Sequence, residues 1–293
     1  MPAVPFEYHA PATLEEAIAL LREHGDEAKP LAGGQSLVPL LTLRLARPAV
    51  LVDLNHLEEL RAVRREGDAL WIGALVRHRA LERGEGALRA CPLLQDAAAL
   101  IGNVRVRALG TIGGSLAHAD PAAELPAVVQ ALDGTVALRG PQGERQVPAG
   151  DFFVGALTTA LGPAEVIVGV RLPVLGPGVG YAVEEFSRRA GDFAVVAAVA
   201  VVELRSPGEI ARVRVALAGV GSTPRRLPGV EAALAGQRPD AETLRRAAGG
   251  AAGEVDPDGD AHASASYRRH LARVLTARAL ERAAAMAARR KTA

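Results

Sequence analysis

The sequence predicts an α+β protein built from more than one structural unit. Its 293 residues exceed the usual length of one domain, and an apolar fraction of 49% can supply a sizeable core. Strand and helix patterns alternate over the first fifty residues, whereas the last hundred residues pass from strands to helices. These two patterns predict an α/β region followed by an α+β region.

The first region has the pattern of a β-α-β-α-β unit. Thr13 and Glu16 have the spacing of a capping box, and Gly25 is a helix stop. We expect Ser36 to cap the second helix. The expected elements lie at residues 6–9, 14–24, 37–45 and 50–53.

The later regions are richer in strands and then in helices. Asp120 followed by Pro121 predicts the start of a helix that reaches residue 132. The other expected elements are strands at 60–63, 69–73, 135–138 and 166–170, a helix at 92–101, a hairpin of 194–204 with 211–218 around Ser206-Pro207-Gly208, and a helix at 267–290. A glycine-rich linker at 176–180 divides the chain, so we predict units at 1–58, 59–175 and 180–293. The basic C-terminal helix presents either a solvated face or a subunit contact.

Composition excludes several classes of function. With 34 basic and 33 acidic residues the net charge is +1, and nine aromatic residues cannot form base-stacking platforms, so no nucleic-acid partner is expected. Cys91 is the only cysteine, which excludes an internal disulfide and a thiolate-held metal or iron–sulfur centre. We expect Cys91 to be a buried small hydrophobe and no metal to bind.

The chain shows no pattern for a membrane segment. Its longest apolar run, 193–202, is shorter than the ~20 residues that a spanning helix needs. The first residues lack the basic and apolar regions of a signal peptide. We therefore expect a cytoplasmic protein with no membrane span.

Two glycine segments carry the strongest chemical signal. Ala32-Gly33-Gly34-Gln35-Ser36 and Thr111-Ile112-Gly113-Gly114-Ser115 each place a glycine pair beside a small hydroxyl residue. Glycine lets another group approach the backbone, and consecutive N–H groups bind anions. Two such loops could hold the two charges of a pyrophosphate, although either alone is also typical of an ordinary turn. The standard P-loop and dinucleotide fingerprints are absent.

These segments, together with Phe186-Ser187-Arg188-Arg189 and Gly191-Asp192, carry a family resemblance. The chain resembles the FAD-binding medium subunit of molybdenum hydroxylases, a family that includes aerobic carbon monoxide dehydrogenase and the flavin portion of xanthine dehydrogenase. The likeness covers essentially the whole chain in the same order.

The resemblance implies a vanillyl-alcohol-oxidase-type FAD-binding fold of two α/β subdomains, followed by a C-terminal α+β domain. It implies that FAD binds without a covalent bond, with its pyrophosphate between the two glycine segments. The residues implied for that role are Ala32, Gly33, Gly34, Gln35, Ser36, Thr111, Ile112, Gly113, Gly114 and Ser115.

Three further residues match the family's cofactor contacts. Ile101 corresponds to the residue placed against the flavin, Glu124 to an acid that contacts the polar chain, and Phe193 to a residue over the isoalloxazine. Their alternatives are a plain core position for Ile101 and an exposed helix charge for Glu124. The chain departs from the family at Glu184-Glu185, where a lysine often stands, so a cationic contact to the flavin is not expected from that position.

The function that the resemblance implies is electron transfer in an oxidoreductase complex. Electrons would enter from a [2Fe–2S] small subunit, pass through FAD and leave to an external acceptor, while a molybdopterin-binding large subunit selects the substrate. We expect a dimer of heterotrimers and no catalytic acid or base in this chain. Two alternatives stay open: a self-sufficient FAD-dependent oxidoreductase, with His118 as the nearest acid–base candidate, and a non-catalytic nucleotide-binding scaffold.

Overall fold

The chain begins with a three-stranded parallel sheet in the computed structural model, which describes residues 4–205 and 208–292. The elements of this first unit are β1 (Glu7–His9), α1 (Leu14–His24), β2 (Ala28–Leu31), α2 (Leu37–Thr42) and β3 (Val50–Asp53). β3 lies between β1 and β2 and is parallel to both. Both halves of the capping box at Thr13 and Glu16 are present, which confirms that helix start.

The second unit contains a five-stranded sheet, a separate two-stranded ribbon and several helices. Its strands are β4 (Val63–Glu66), β5 (Ala69–Gly73), β6 (Thr135–Gly140), β7 (Gly143–Pro148), β8 (Phe153–Gly155), β9 (Thr158–Thr159) and β10 (Val166–Pro173). Its helices are α3 (His78–Arg83), α4 (Leu93–Leu100), α5 (Val104–Leu109), α6 (Ile112–His118), α7 (Glu124–Ala131) and α8 (Ala149–Phe152). The sheet has the order β4-β5-β10-β6-β7 with antiparallel pairing, and β8 and β9 form a separate ribbon.

The third unit is an antiparallel sheet covered by helices. Its elements are β11 (Val179–Phe186), β12 (Val196–Arg205), β13 (Glu209–Ala218), β14 (Arg225–Arg226), α9 (Pro228–Leu234), α10 (Ala241–Gly249) and α11 (Ala265–Thr292). β12 and β13 pair as the expected hairpin. The predicted turn residues Ser206 and Pro207 lie outside the described residues.

β12 shows why the chain contains one long apolar run. Ala197 and Val199 face a core shared with the second unit, while Val196 and Ala198 face the core beneath the C-terminal helices. A strand that is buried on both faces has a continuous apolar sequence. The third unit is therefore packed tightly against the second, and α7 contacts both β12 and β13.

The apolar side of the C-terminal helix is buried against other parts of the same chain. Eight apolar residues of α11 are buried against the sheet and its neighbours: Leu271, Ala272, Leu275, Ala279, Leu280, Ala283, Ala284 and Ala287. Any contact with another subunit would therefore use the charged side of this helix. No helix within 4–205 and 208–292 has the length and apolar character needed to cross a membrane.

Four local expectations were wrong. Residues 58–61 form a 3₁₀ turn with Leu60 buried, so the strand begins only at Val63. Ser36 precedes α2, but its side chain makes no capping hydrogen bond. That helix ends at Thr42, not at residue 45, because Arg44 adopts a positive φ of 58° that closes it.

The fourth correction concerns the segment after the second glycine pair. The glycine pair lies inside α6, not in a loop, because Thr111 is the N-cap of that helix. Asp120 caps only a turn, with its Oδ1 accepting from the Ala122 N–H at 2.9 Å. The following helix begins at Glu124, which places that carboxyl at the first helical position.

Candidate cofactor-binding site

A deep cavity lies between the first two units and reaches the beginning of the third. It encloses about 1450 Å³, including its open mouth. The structure brings all but one of the predicted cofactor-binding residues to its lining. These are Ala32, Gly33, Gly34, Gln35, Ser36, Ile101, Thr111, Gly113, Gly114, Ser115, Glu124 and Phe193. Ile112 is the exception, because its side chain is fully buried in the core.

The first glycine segment, residues 32–36, leaves β2 and turns across the cavity floor. Gly34 has a φ of +70°, a conformation that other residues rarely adopt. Gln35 closes the turn by donating from Nε2 to the Gly33 carbonyl at 3.1 Å. Within the described chain, the N–H groups of residues 33–36 donate to no protein acceptor. A run of free N–H groups of this kind is suited to an anion.

The second glycine segment, residues 111–115, uses its N–H groups differently. The Ile112 and Gly113 N–H groups donate to the carbonyls of Val76 and Ala74 at 3.0 and 2.8 Å. The Gly114 N–H donates to Thr111 Oγ1 at 3.0 Å. This segment therefore offers the cavity a bare backbone surface more than a set of free donors.

The glycines of the second segment have separate roles. A Cβ on Gly113 would lie 2.5 Å from the Ala74 side chain, so its absence permits close packing inside the protein. A Cβ on Gly114 would meet only Thr111 Oγ1 at 2.9 Å and Ala32 Cβ at 3.9 Å. Gly114 lies on the cavity lining and half-buried, so this position leaves room for a bound group.

The two segments approach each other through Gly33. A Cβ built there would lie 2.8 Å from the Gly110 Cα and closer still to the Leu109 carbonyl oxygen. Both neighbours are backbone atoms, which cannot rotate away as a side chain can. Gly33 therefore sets how closely the first segment lies against the chain that leads into the second.

Glu124 is a buried ionisable group on the cavity lining. Its side chain is only 5% exposed, which excludes the exposed-charge interpretation. Burial raises the pKa of this carboxyl to about 8, and the nearby charges of Glu185 and Asp120 add to the rise. Glu124 is consequently mostly protonated at pH 7 and can donate as well as accept a hydrogen bond.

Apolar residues lie at two further points of the cavity. Ile101 caps the end of α4 and is half-buried, with part of its surface packed on the core. Phe193 precedes β12 and is 64% exposed, which is unusual for a phenylalanine. An exposed aromatic ring on a cavity lining is available to cover a planar ligand.

The two acidic residues at the departure from the family pattern have different surroundings. Glu184 pairs with Arg282 of α11. Glu185 is partly buried, and burial raises the pKa of its carboxyl to about 7. This position supplies no cation to the cavity.

His118 ends α6 and lies half-buried on the cavity lining.

Three residues near the site were missed by sequence reasoning. His78 Nε2 lies 2.9 Å from the Thr111 carbonyl, and burial lowers the pKa of this histidine to about 4. The ring is therefore neutral, with Nε2–H as the donor. Through hydrogen bonds, Asn55 and Arg77 connect the Ala32 carbonyl of the first segment to the Leu109 carbonyl, two residues before the second segment. Their spacing in the sequence carries no signal, because the connection forms only in three dimensions.

Cys91 takes no part in the cavity lining. The residue is fully buried, and burial raises the pKa of its thiol to about 12. Such a thiol is protonated and unreactive at neutral pH, as expected for a small hydrophobe.

Comparisons with known proteins agree with this geometry. A family model described as the FAD binding domain in molybdopterin dehydrogenase matches residues 4–175. A second model, described as the CO dehydrogenase flavoprotein C-terminal domain, matches residues 181–283. Together they cover almost the whole chain.

Individual proteins are similar over nearly their full length. The 6-hydroxypseudooxynicotine dehydrogenase complex subunit alpha of Paenarthrobacter nicotinovorans is 41% identical, over 95% of this chain and 94% of its own. The carbon monoxide dehydrogenase medium chain of Afipia carboxidovorans is 38% identical, over 96% and 98%. A solved structure of carbon monoxide dehydrogenase from Hydrogenophaga pseudoflava superposes with a TM-score of 0.94 at 40% identity, covering 98% of this chain and 99% of that one.

Proposed function

This chain belongs to the FAD-binding medium subunits of the molybdenum hydroxylases, and from that premise we propose how its residues serve electron transfer. The observation that carries the proposal is the run of free N–H groups at residues 33–36, which adjoins the open backbone of Gly114 on the cavity lining. We propose that these two segments hold the pyrophosphate of FAD between them.

The remaining lining residues fit the other parts of the cofactor. We propose that Glu124 hydrogen-bonds hydroxyl groups of the chain that joins the pyrophosphate to the ring, and that Ile101 and Phe193 contact the isoalloxazine. All three line the cavity, and Phe193 is exposed there. Bound FAD supplies the redox chemistry by accepting and releasing electrons, whereas the protein positions it and excludes water.

We propose that the electrons come from another subunit. The single cysteine of this chain cannot hold an iron–sulfur cluster. The similar proteins are described as a medium chain and as a subunit of a dehydrogenase complex. A [2Fe–2S] small subunit and a molybdopterin-binding large subunit are therefore the proposed partners.

Co-expression with such subunits tests the proposed role. The three chains should form a stable assembly in which the substrate of the complex bleaches the flavin, while the isolated chain shows no bleaching. Turnover of a small substrate by the lone chain at about 1–1000 per second would instead indicate a self-sufficient oxidoreductase. A colourless chain after incubation with FAD would indicate a scaffold.

The stoichiometry and the location are further proposals. We propose two copies of each subunit, which the mass of the purified assembly would test. We propose a cytoplasmic location. Fractionation of the native host would contradict it if the chain were found outside the cytoplasm.

A further inference from the structure

The two glycine segments are joined by side chains that do not line the cavity. Within the described residues, segments 32–36 and 111–115 share no direct hydrogen bond. They are connected instead through Asn55, which follows β3, and Arg77, which precedes α3. Neither side chain belongs to the cavity lining, so neither touches the space where a ligand would lie.

Asn55 forms the end of the connection at the first segment. Its Nδ2 donates to the Ala32 carbonyl at 2.8 Å and to Asp53 Oδ1 at 2.6 Å. Asp53 also accepts from the Asn55 backbone N–H at 2.9 Å. These acceptors require the amide nitrogen on this side, which leaves Oδ1 facing away from the segment.

Arg77 forms the other end. Its Nη2 donates to Asn55 Oδ1 at 2.6 Å, and its Nη1 donates to the Leu109 carbonyl. The guanidinium therefore spans from the amide to the chain that leads into the second segment. A planar fork with two separate donors can hold two acceptors at a fixed distance, which a lysine cannot do. Hydrogen bonds from a charged donor are also stronger than neutral ones.

The anchored carbonyls stand next to the closest backbone contact between the segments. Ala32 precedes Gly33, and Leu109 supplies the oxygen against which Gly33 packs. The chain from Ala32 through Asn55 and Arg77 to Leu109 thus runs parallel to that contact. Gly33 limits how closely the segments approach, and the side-chain connection limits how far they separate.

We propose that Asn55 and Arg77 are positioning residues that fix the separation of the two glycine segments and so preorganise them for FAD. This inference rests on the proposed binding of FAD at those segments. Rigid placement of binding groups raises affinity because less order has to be imposed when the ligand binds. The connection therefore affects affinity without contacting the cofactor.

The test uses the full chain with Arg77→Met, which keeps a long side chain but loses both donors. We expect the dissociation constant for FAD, measured by flavin fluorescence titration, to rise about tenfold, the value of one strong hydrogen bond. Arg61→Met is the matched control. Arg61 donates to the Asn55 backbone carbonyl at 2.5 Å but does not reach Leu109, so its loss should leave the affinity within twofold.

A double-mutant cycle separates positioning from simple stabilisation. Once Arg77→Met has broken the connection, Asn55→Ala should weaken FAD binding much less than it does alone, because both residues act through one path. The FAD-induced rise in melting temperature should also shrink in each variant. A purely structural role would lower the melting temperature with and without FAD by similar amounts.

Several results would overturn the inference. One is unchanged FAD affinity in folded Arg77→Met, and another is full additivity of the two substitutions. If Arg77→Met does not fold, Arg77→Lys is the variant to test. Lysine keeps the positive charge but lacks the two separate donors of the guanidinium, so wild-type FAD affinity in Arg77→Lys would refute the proposal. Failure of the wild-type chain to bind FAD would instead refute the proposed function.

Discussion

The two glycine pairs look alike in the sequence but act differently in the fold. Gly33 and Gly113, the first glycine of each pair, lie against the protein's own chain at Leu109–Gly110 and at Ala74. Gly34 and Gly114, the second of each pair, serve the cavity through a positive φ and an open backbone surface. A glycine in a binding motif can therefore be required by the fold, by the ligand, or by both.

The pairs also differ in what they offer a ligand. Residues 33–36 leave their N–H groups free, whereas Ile112, Gly113 and Gly114 donate theirs inside the protein. The first segment is suited to bind charge, and the second to let the charged group come close. Because the two segments have nearly the same residue pattern, the sequence does not reveal this difference between them.

The largest expected effect comes from a first-position glycine. Gly33→Ala adds a Cβ that collides with backbone atoms of Leu109 and Gly110, which cannot move independently. We expect a loss of about 3 kcal/mol in the free energy of unfolding, at the upper end of overpacking effects. Urea denaturation of the FAD-free chain measures it. Wild-type stability in Gly33→Ala would contradict the distinction between the first glycine of each pair, which the fold requires, and the second, which serves the cavity.

The next effect comes from a second-position glycine. Gly114→Val places branched atoms on the cavity surface, so we expect a folded chain whose FAD affinity falls at least about a hundredfold, equal to about 2.7 kcal/mol. Gly176→Val is the control, because a Cβ at Gly176 meets nothing within 4 Å. Fluorescence titration of both variants gives the comparison. Wild-type affinity in folded Gly114→Val would end the case for this segment.

A smaller effect is expected at Glu124, a polar residue of the cavity lining outside the two glycine segments. Glu124→Ala should weaken FAD binding by about ten- to a hundredfold, since a buried hydrogen-bonding group that loses its partner costs about 1–3 kcal/mol. Glu124→Gln keeps a donor and an acceptor of similar shape and should lose less affinity at pH 7. Titration of FAD into both variants separates the two cases. An unchanged dissociation constant for Glu124→Ala would leave Glu124 without a role in binding.

The smallest effect, when it is expressed per pH unit, is a pH dependence of stability. A free glutamate ionises near pH 4.5, whereas Glu124 in the folded chain has a pKa of about 8. Between these values the unfolded chain has lost this proton and the folded chain retains it. The contribution of Glu124 to stability is therefore present below pH 4.5, declines as pH rises, and is fully lost above about pH 8.

Glu124→Gln removes that titration, so its melting temperature relative to the wild type should rise between pH 5 and pH 9. The slope per pH unit is limited to about 1.4 kcal/mol. Glu185 and Asp120, the acids near Glu124, remain in both proteins and cancel in the comparison. A difference that does not vary with pH would show that Glu124 ionises normally.

The sequence was most informative where local patterns decide the structure. The capping box at Thr13 and the two apolar strands of the hairpin gave correct elements, because short-range hydrogen bonds and burial determine them. The family resemblance, now confirmed by the comparisons, supplied the cofactor and the overall fold. The predicted site residues came together in one cavity, apart from the buried Ile112.

Sequence reasoning failed where distant parts of the chain meet. The sequence predicts Asp120 as the N-cap of a helix. The residues after Asp120 instead form a turn, and the helix begins only at Glu124. Glu124 is buried at the start of α7, a helix that packs against β12 and β13 of the third unit, and no local pattern reveals this. The link from Asn55 to Arg77 joins residues 22 positions apart in the chain and likewise has no local signal.

The central claim is that the two segments together hold the pyrophosphate at the centre of FAD. Titration of the full chain with FAD, FMN and AMP tests it directly, because the last two carry the halves of the cofactor, each with one of its two phosphates. Joining two bound halves raises affinity by about 10²–10⁴ when both engage at once. The account predicts that FAD binds at least about a hundredfold more tightly than either half. FMN binding as tight as that of FAD would contradict it.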